Sequence, residues 1–293
     1  MEHSGRPRRS VLYMPGSNAR ALEKARALPA DALILDLEDA VAPDAKEMAR
    51  AQVVEAAKSG AYGAREIAIR VNGLDGPWGR DDIAAAAGSG AHAVLLPKVE
   101  SAEMVREAEA LMVENGAPES LAVWCMMETP LGILQAREIA GASPRLACLV
   151  MGTSDLAKDL HAHHTEARLP MLTSLGLCLL AARAFGLAIV DGVHLDLEDE
   201  AGLRSVCRQG LELGFDGKTL IHPKQITVAN EIFAPDPAEI EEARKIIAAH
   251  AAAEKEGKGV VLLDGRLIEN LHVENAHRLL ALAEAIGKME AAN

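Results

Sequence analysis

The sequence predicts a (β/α)8 TIM barrel followed by a C-terminal helical extension. Three observations predict it. Short apolar runs alternate with Ala-rich amphipathic stretches along most of the 293 residues. The runs are near-continuous in Val, Ile, Leu and Met, as strands buried on both faces of a parallel sheet are. About eight such units fit into roughly 225 residues, which suits a closed barrel better than an open, doubly wound sheet.

The predicted strands, in order, are Ser10–Met14, Ala32–Leu37, Glu66–Val71, Ala93–Pro97, Ala122–Met127, Cys148–Met151, Leu187–Val190 and Lys218–Ile221. Between them, helical periodicity covers Asn18–Ala27, Ala45–Ser59, Ala102–Glu114 and Arg204–Leu213. Strand and helix in alternation mean a parallel sheet. From about residue 235 the pattern changes. Asp236–Glu254 reads as a long helix opened by a Pro-Asp-Pro signal, Gly257–Gly259 and the short segment Val260–Leu263 follow, and Val273–Met289 reads as another helix. The expected division is a catalytic barrel over 1–234 and a helical lid over 235–293, lying on its own barrel or reaching a neighbouring subunit.

The bulk numbers exclude some partners. Net charge is −13; such a surface repels nucleic acid and anionic membrane, so neither is expected as a partner. Aromatic residues make up only 2%, which argues against a base-stacking platform. No apolar run reaches the roughly 18 residues of a membrane span. The stretch around Arg6, Arg8 and Arg9 has no apolar segment behind it and does not read as a signal peptide. Cys125, Cys148, Cys178 and Cys207 lie far apart in apolar or helical stretches, and are expected to be buried, reduced thiols of a cytoplasmic protein.

In a parallel barrel, catalytic groups gather at the C-terminal ends of the strands. Here almost every apolar run ends in a polar group: Pro15-Gly16-Ser17; Asp36, Glu38 and Asp39; Arg70 and Asn72; Lys98; Glu128; Asp155; Asp191; and His222. Glu128 and Asp155 end adjacent strands. Two carboxylates placed so can hold one hard cation from one side and leave its other positions to water and substrate, as Mg²⁺ prefers; the alternative is a pair of helix caps or exposed loop acids. Arg70 ends a buried strand, so it must be paired or face a ligand. Its fork can bind a carboxylate or stabilise oxyanion charge. His161, His163 and His164 lie in a polar loop without an apolar frame and are not read as metal ligands. No dinucleotide fingerprint and no nucleophile elbow is present.

Seven segments, RSVLYMPGS, LDLEDAV, RVNG, LLPKVES, METP, GTSDLA and FDGKTLIHPKQ, stand in order at barrel spacing. Together they resemble the CitE-like family: citrate lyase β subunits, malyl-CoA and citramalyl-CoA lyases, and malyl-CoA thioesterases. The resemblance implies a (β/α)8 barrel in a homotrimer or homohexamer, with the C-terminal extension capping a neighbour's site. It implies an acyl-CoA thioester substrate and Mg²⁺, with Mn²⁺ as a substitute, on Glu128 and Asp155. It implies that Arg70 binds the acyl oxygens and that Glu38 supports Arg70. Arg20, Lys24 and Lys46 are expected near the CoA phosphates, as the local basic patch that an acidic protein needs for an anionic substrate. His222 and Pro223 are expected to border the CoA.

One departure bears on the reaction. Lyases of this family carry an Asp in a G-x-M-I-D segment of the tail; here LLDGRLIENLHVENA places Glu269 there. One extra methylene moves the carboxylate by about 1.5 Å, and attack geometry is sensitive to such a shift. With RVNG-x-D-x-x-WGR, this form resembles the (3S)-malyl-CoA thioesterase branch. Hydrolysis to malate and CoA is therefore the favoured expectation, with Glu269, acting from a neighbouring subunit, as the base. Carbon–carbon cleavage of a malyl-, methylmalyl- or citramalyl-CoA comes second. A citrate-lyase-type β subunit and a non-catalytic CoA-ester-binding protein are the remaining alternatives.

Overall fold

The computed structural model describes residues 5–255, 261–263 and 265–292. Gly257–Gly259 and Val260, named above, and the Asp of LLDGRLI, Asp264, lie outside the described residues. The chain divides into two compact units, Arg8–Phe233 and a second that joins residues 5–7 to Ala234–Ala292.

The first unit is a closed barrel of eight parallel strands in sequential order: β1 (Ser10–Pro15), β2 (Ala32–Asp36), β3 (Glu66–Arg70), β4 (Ala93–Leu96), β5 (Ala122–Met127), β6 (Leu146–Met151), β7 (Ala188–Asp191) and β8 (Gly217–Leu220). The helices are α1 (Ala19–Ala25), α2 (Lys46–Lys58), α3 (Gly79–Ala87), α4 (Ala102–Glu114), the short pair α5 (Pro130–Leu134) and α6 (Ala136–Ala140), α7 (Thr153–Asp159), α8 (Leu172–Ala184), α9 (Glu200–Leu213) and α10 (Ile226–Ile232). Strand β6 starts two residues earlier than its apolar run suggested. The register steps from Val123 opposite Leu146 to Trp124 opposite Cys148, so Ala147 is the extra residue of a bulge.

Side-chain parity builds two cores. Leu12, Leu33, Leu35, Ile67, Ile69, Val94, Val123 and Leu149 face outward and pack under the helices. Val11, Ile34, Ala68, Leu95, Trp124, Met126, Cys148 and Val150 point inward and fill the barrel, as alternation along each strand requires. Few aromatics are needed, because alanines at Ala32, Ala68, Ala93 and Ala122 leave room for the fully buried Trp124. At the N-terminal end Arg8 pairs with Glu66 at 2.7 Å and Arg9 with Asp31 at 2.9 Å, all four buried. The Arg8 guanidinium lies 5.2 Å from the centre of the Trp124 ring. These two N-terminal arginines belong to the barrel floor.

The second unit is not purely helical. Helix α11 (Pro237–Lys255) packs against α12 (Asn270–Ala292), and between them β9 (Val261–Leu263) and β10 (Arg266–Ile268) form an antiparallel hairpin. The hairpin escaped the sequence reading because each strand is only three residues long. Among the described residues no helix is long and apolar enough to cross a membrane.

Candidate active site

Parity carries the functional residues into the barrel mouth. Asp36 and Arg70 continue the inward series of Ile34 and Ala68, and stand in register on β2 and β3. Arg70 Nε donates to Asp36 Oδ1 at 2.7 Å and Nη2 to Asp36 Oδ2 at 2.6 Å. Nη1 lies 3.0 Å from Glu38 Oε2. Burial opposes the Arg70 charge, but Asp36 and Glu38 hold the guanidinium protonated well above its ordinary range. The principal partner is thus Asp36, with Glu38 second. Asp36 also accepts the backbone N–H groups of Glu38 and Ala40, at 2.9 and 3.2 Å, which folds the LDLEDAV turn around the arginine. The Tyr13 ring lies against the other side of Arg70, its centroid 5.0 Å from the guanidinium carbon.

Glu128 immediately follows β5 and is buried. The chain turns there because Thr129 caps α5, accepting the Gly132 N–H, and Pro130 opens the helix. Glu128 Oε1 accepts the Lys98 N–H at 2.8 Å. Burial pushes the Glu128 carboxyl up to about 7, against the opposing pull of that N–H and of Arg70. Asp155 sits in the first turn of α7. The Lys98 ammonium pairs with Glu38 Oε1 and lies 3.7 Å from Asp155 Oδ2. Glu38 too is raised, first by burial.

Tyr13, Asp36, Asp39, Arg70, Met126, Glu128, Gly152, Thr153 and Asp155 line one cleft of about 390 Å³. Five carboxylates, Asp36, Glu38, Asp39, Glu128 and Asp155, gather around Arg70 and Lys98. That surplus of negative charge, with two acids pushed toward protonation, fits a divalent cation, which would hold both ionised. Among the described residues no three His, Cys, Asp or Glu side chains converge on one point. The protein's own share of such a coordination shell would be Glu128 and Asp155, with the remaining positions left to water and substrate oxygens, a pattern that suits Mg²⁺.

Other expected residues are placed elsewhere. The Lys46 ammonium is buried and donates to the carbonyls of Leu37 and Glu38 and to Asn72 Oδ1, each at 2.7 Å. All three of its N–H donors are spent, so the expectation of a phosphate contact there is corrected: Lys46 braces the β2 and β3 turns. His222 caps the turn at Pro223, accepting the Lys224 N–H at 3.1 Å, and neither His222 nor Pro223 lines the cleft. Arg20 and Lys24 are exposed on α1. Asp191 has outward parity and lies in the strand–helix layer, bound by Arg168 and Lys218. Glu269 is on the second unit, exposed, just before α12, where its N–H donates to His272 Nδ1 at 3.0 Å. The sequence reading passed over Tyr13 and gave Lys98 no role. Counting inward positions along β1 finds the first; the φ of +47° that aims the Lys98 N–H at Glu128 leaves no mark in the sequence.

The model of the HpcH/HpaI aldolase/citrate lyase family matches residues 9–223, the whole barrel apart from its last helix. The chain belongs to that family. Within the HpcH/HpaI family, a (3S)-malyl-CoA thioesterase of Cereibacter sphaeroides is 54% identical over 286 residues, covering 98% of each chain. An L-malyl-CoA/beta-methylmalyl-CoA lyase of the same organism is 35% identical over 305 residues, covering 96% of each. Among solved structures, CitE of Mycobacterium tuberculosis in complex with magnesium, acetoacetate and coenzyme A aligns with a TM-score of 0.73 at 29% identity, over 95% of this chain and 98% of that one.

Proposed function

We propose that this chain is a Mg²⁺-dependent thioesterase that hydrolyses (3S)-malyl-CoA to malate and CoA. The observation that carries the reading is the gap in identity, 54% to the thioesterase against 35% to the lyase, each over nearly the full length. The cleft supports it with a cation-hungry carboxylate pair beside a rigidly held arginine.

A bound Mg²⁺ would supply Lewis-acid polarisation of the substrate's oxygens and offset the acid surplus. Glu128 and Asp155 would hold it. Arg70 spends three of its five N–H donors on Asp36 and Glu38; the remaining two can face the thioester oxygen and stabilise it as water adds to the carbonyl carbon. A base takes the proton of that water, the C–S bond breaks, and the thiolate leaves to be protonated as CoA. We assign the base to Glu269 of a neighbouring subunit in a homo-oligomer. Arg20 and Lys24, exposed on α1, are assigned to the CoA phosphates.

Carbon–carbon cleavage uses the same clamp and differs in where the base stands: on the substrate hydroxyl rather than on water. Incubation with malyl-CoA and Mg²⁺ separates the two. Free thiol with malate, abolished by EDTA, supports the thioesterase; glyoxylate with acetyl-CoA would replace it by the lyase.

A further inference from the structure

Tyr13 lines the cleft, and its hydroxyl has no oxygen or nitrogen partner among the described hydrogen bonds. It stands on β1 with the inward parity of Val11, in register with Ile34, one inward step below Asp36. Its hydroxyl donates only to Met126 Sδ, at 3.2 Å. A thioether is a weak acceptor. The phenol is therefore held, part-buried, in the barrel mouth without a strong protein partner. Filling space does not require this, since phenylalanine would fill the same volume and keep the ring against Arg70. Burial holds the phenol protonated, well above its usual range, so it remains an O–H donor throughout the working pH range.

We propose that Tyr13 is a catalytic residue: its hydroxyl turns from Met126 to the thioester carbonyl oxygen and, beside Arg70, donates a hydrogen bond as that oxygen gains negative charge. No proton is transferred. The phenol keeps its hydrogen, and the bond strengthens as the oxyanion develops and relaxes when the C–S bond breaks. Two donors from different strands, Tyr13 on β1 and Arg70 on β3, then converge on one oxygen, the arrangement of an oxyanion hole. The inference rests on the thioester reading of the cleft, but not on the choice between hydrolysis and cleavage, because the same oxygen carries the charge of the enolate in a retro-Claisen step.

Tyr13→Phe tests it, since only the hydroxyl is lost. With malyl-CoA and Mg²⁺, kcat is expected to fall on the order of 10²-fold, with KM and Tm unchanged and Mg²⁺ affinity by calorimetry intact. Acetoacetyl-CoA provides a readout without turnover. Its Mg²⁺-dependent enolate absorbance in the bound state should weaken about tenfold or more in affinity. If wild type yields glyoxylate rather than malate, the hydrolase reading falls, while the same loss in Tyr13→Phe still supports this role. If wild type turns over nothing, the acetoacetyl-CoA titration decides alone. A variant within twofold of wild type in both measurements, or a loss explained by weaker Mg²⁺ binding, overturns the proposal.

Discussion

Lys98 and Glu128 are joined backbone to side chain: the Lys98 N–H donates to Glu128 Oε1 at 2.8 Å, and Lys98 adopts a left-handed φ of +47° to do so. A lysine in that region costs about 1–3 kcal/mol. What it secures is one fixed oxygen on a buried carboxylate. Its ammonium lies 3.7 Å from Asp155 and would compete with a divalent cation held there. Replacing Lys98 with Gly keeps the N–H and removes the charge. Mg²⁺ binding measured by calorimetry without substrate should tighten several-fold; weaker binding would show that the ammonium helps to build the site.

Gly152 leaves room for the same carboxylate. A Cβ there would lie 2.4 Å from both Glu128 Cβ and Oε2. Gly152→Ala must displace Glu128, so kcat/KM should fall on the order of 10²-fold and Mg²⁺ affinity should drop with it. Wild-type Mg²⁺ affinity in this variant would mean that Glu128 is not a ligand.

Glu269 is expected to act in chemistry and not in metal binding. Glu269→Gln should lower kcat at least tenfold while calorimetric Mg²⁺ affinity stays the same. Glu269→Asp should shift products toward glyoxylate. An unchanged product ratio would remove this residue from the choice of reaction.

Lys46 serves stability. Lys46→Met strands Asn72 Oδ1 and leaves the Leu37 and Glu38 carbonyls with only Asn72 Nδ2 and the Val41 N–H as donors, and urea unfolding should show a loss of about 1–3 kcal/mol. The salt dependence of KM for malyl-CoA should not change. A flatter salt response would restore the phosphate role.

The four cysteines are free and buried. Burial pushes Cys148 and Cys178 up to about 12 and Cys207 to about 11, and raises Cys125 as well. Thiolate is the reactive form, so a disulfide-exchange dye should find almost no thiol in the native protein at pH 8 and four after unfolding. Rapid native reaction would contradict the burial and would also confound a thiol-release assay.

The barrel was legible because its signal is repeated. Eight apolar runs, each bounded by turn residues, leave little choice of architecture even where single ends were misplaced by one residue. The exception, the start of β6, hides in a bulge that has no composition of its own. Most of the cleft was legible too, since Asp36, Arg70 and Glu128 stand at strand ends, where a barrel gathers its chemistry. Strand-end position alone nevertheless treated Asp191 as an equal of these residues, and the need for a local basic patch put Lys46 at a phosphate.

Residue order by itself determined the barrel and the strand-end acids, because hydrophobic period and chain position are local properties. Only the tertiary structure decided who meets whom. Asp36 rather than Glu38 is Arg70's chief partner, Lys98 bends to fix Glu128, and Lys46 is consumed by the turns it supports. Tyr13 faces the cleft with an unspent hydroxyl. Each depends on distances across strands that are far apart in sequence, where a few tenths of an ångström separate a hydrogen bond from none.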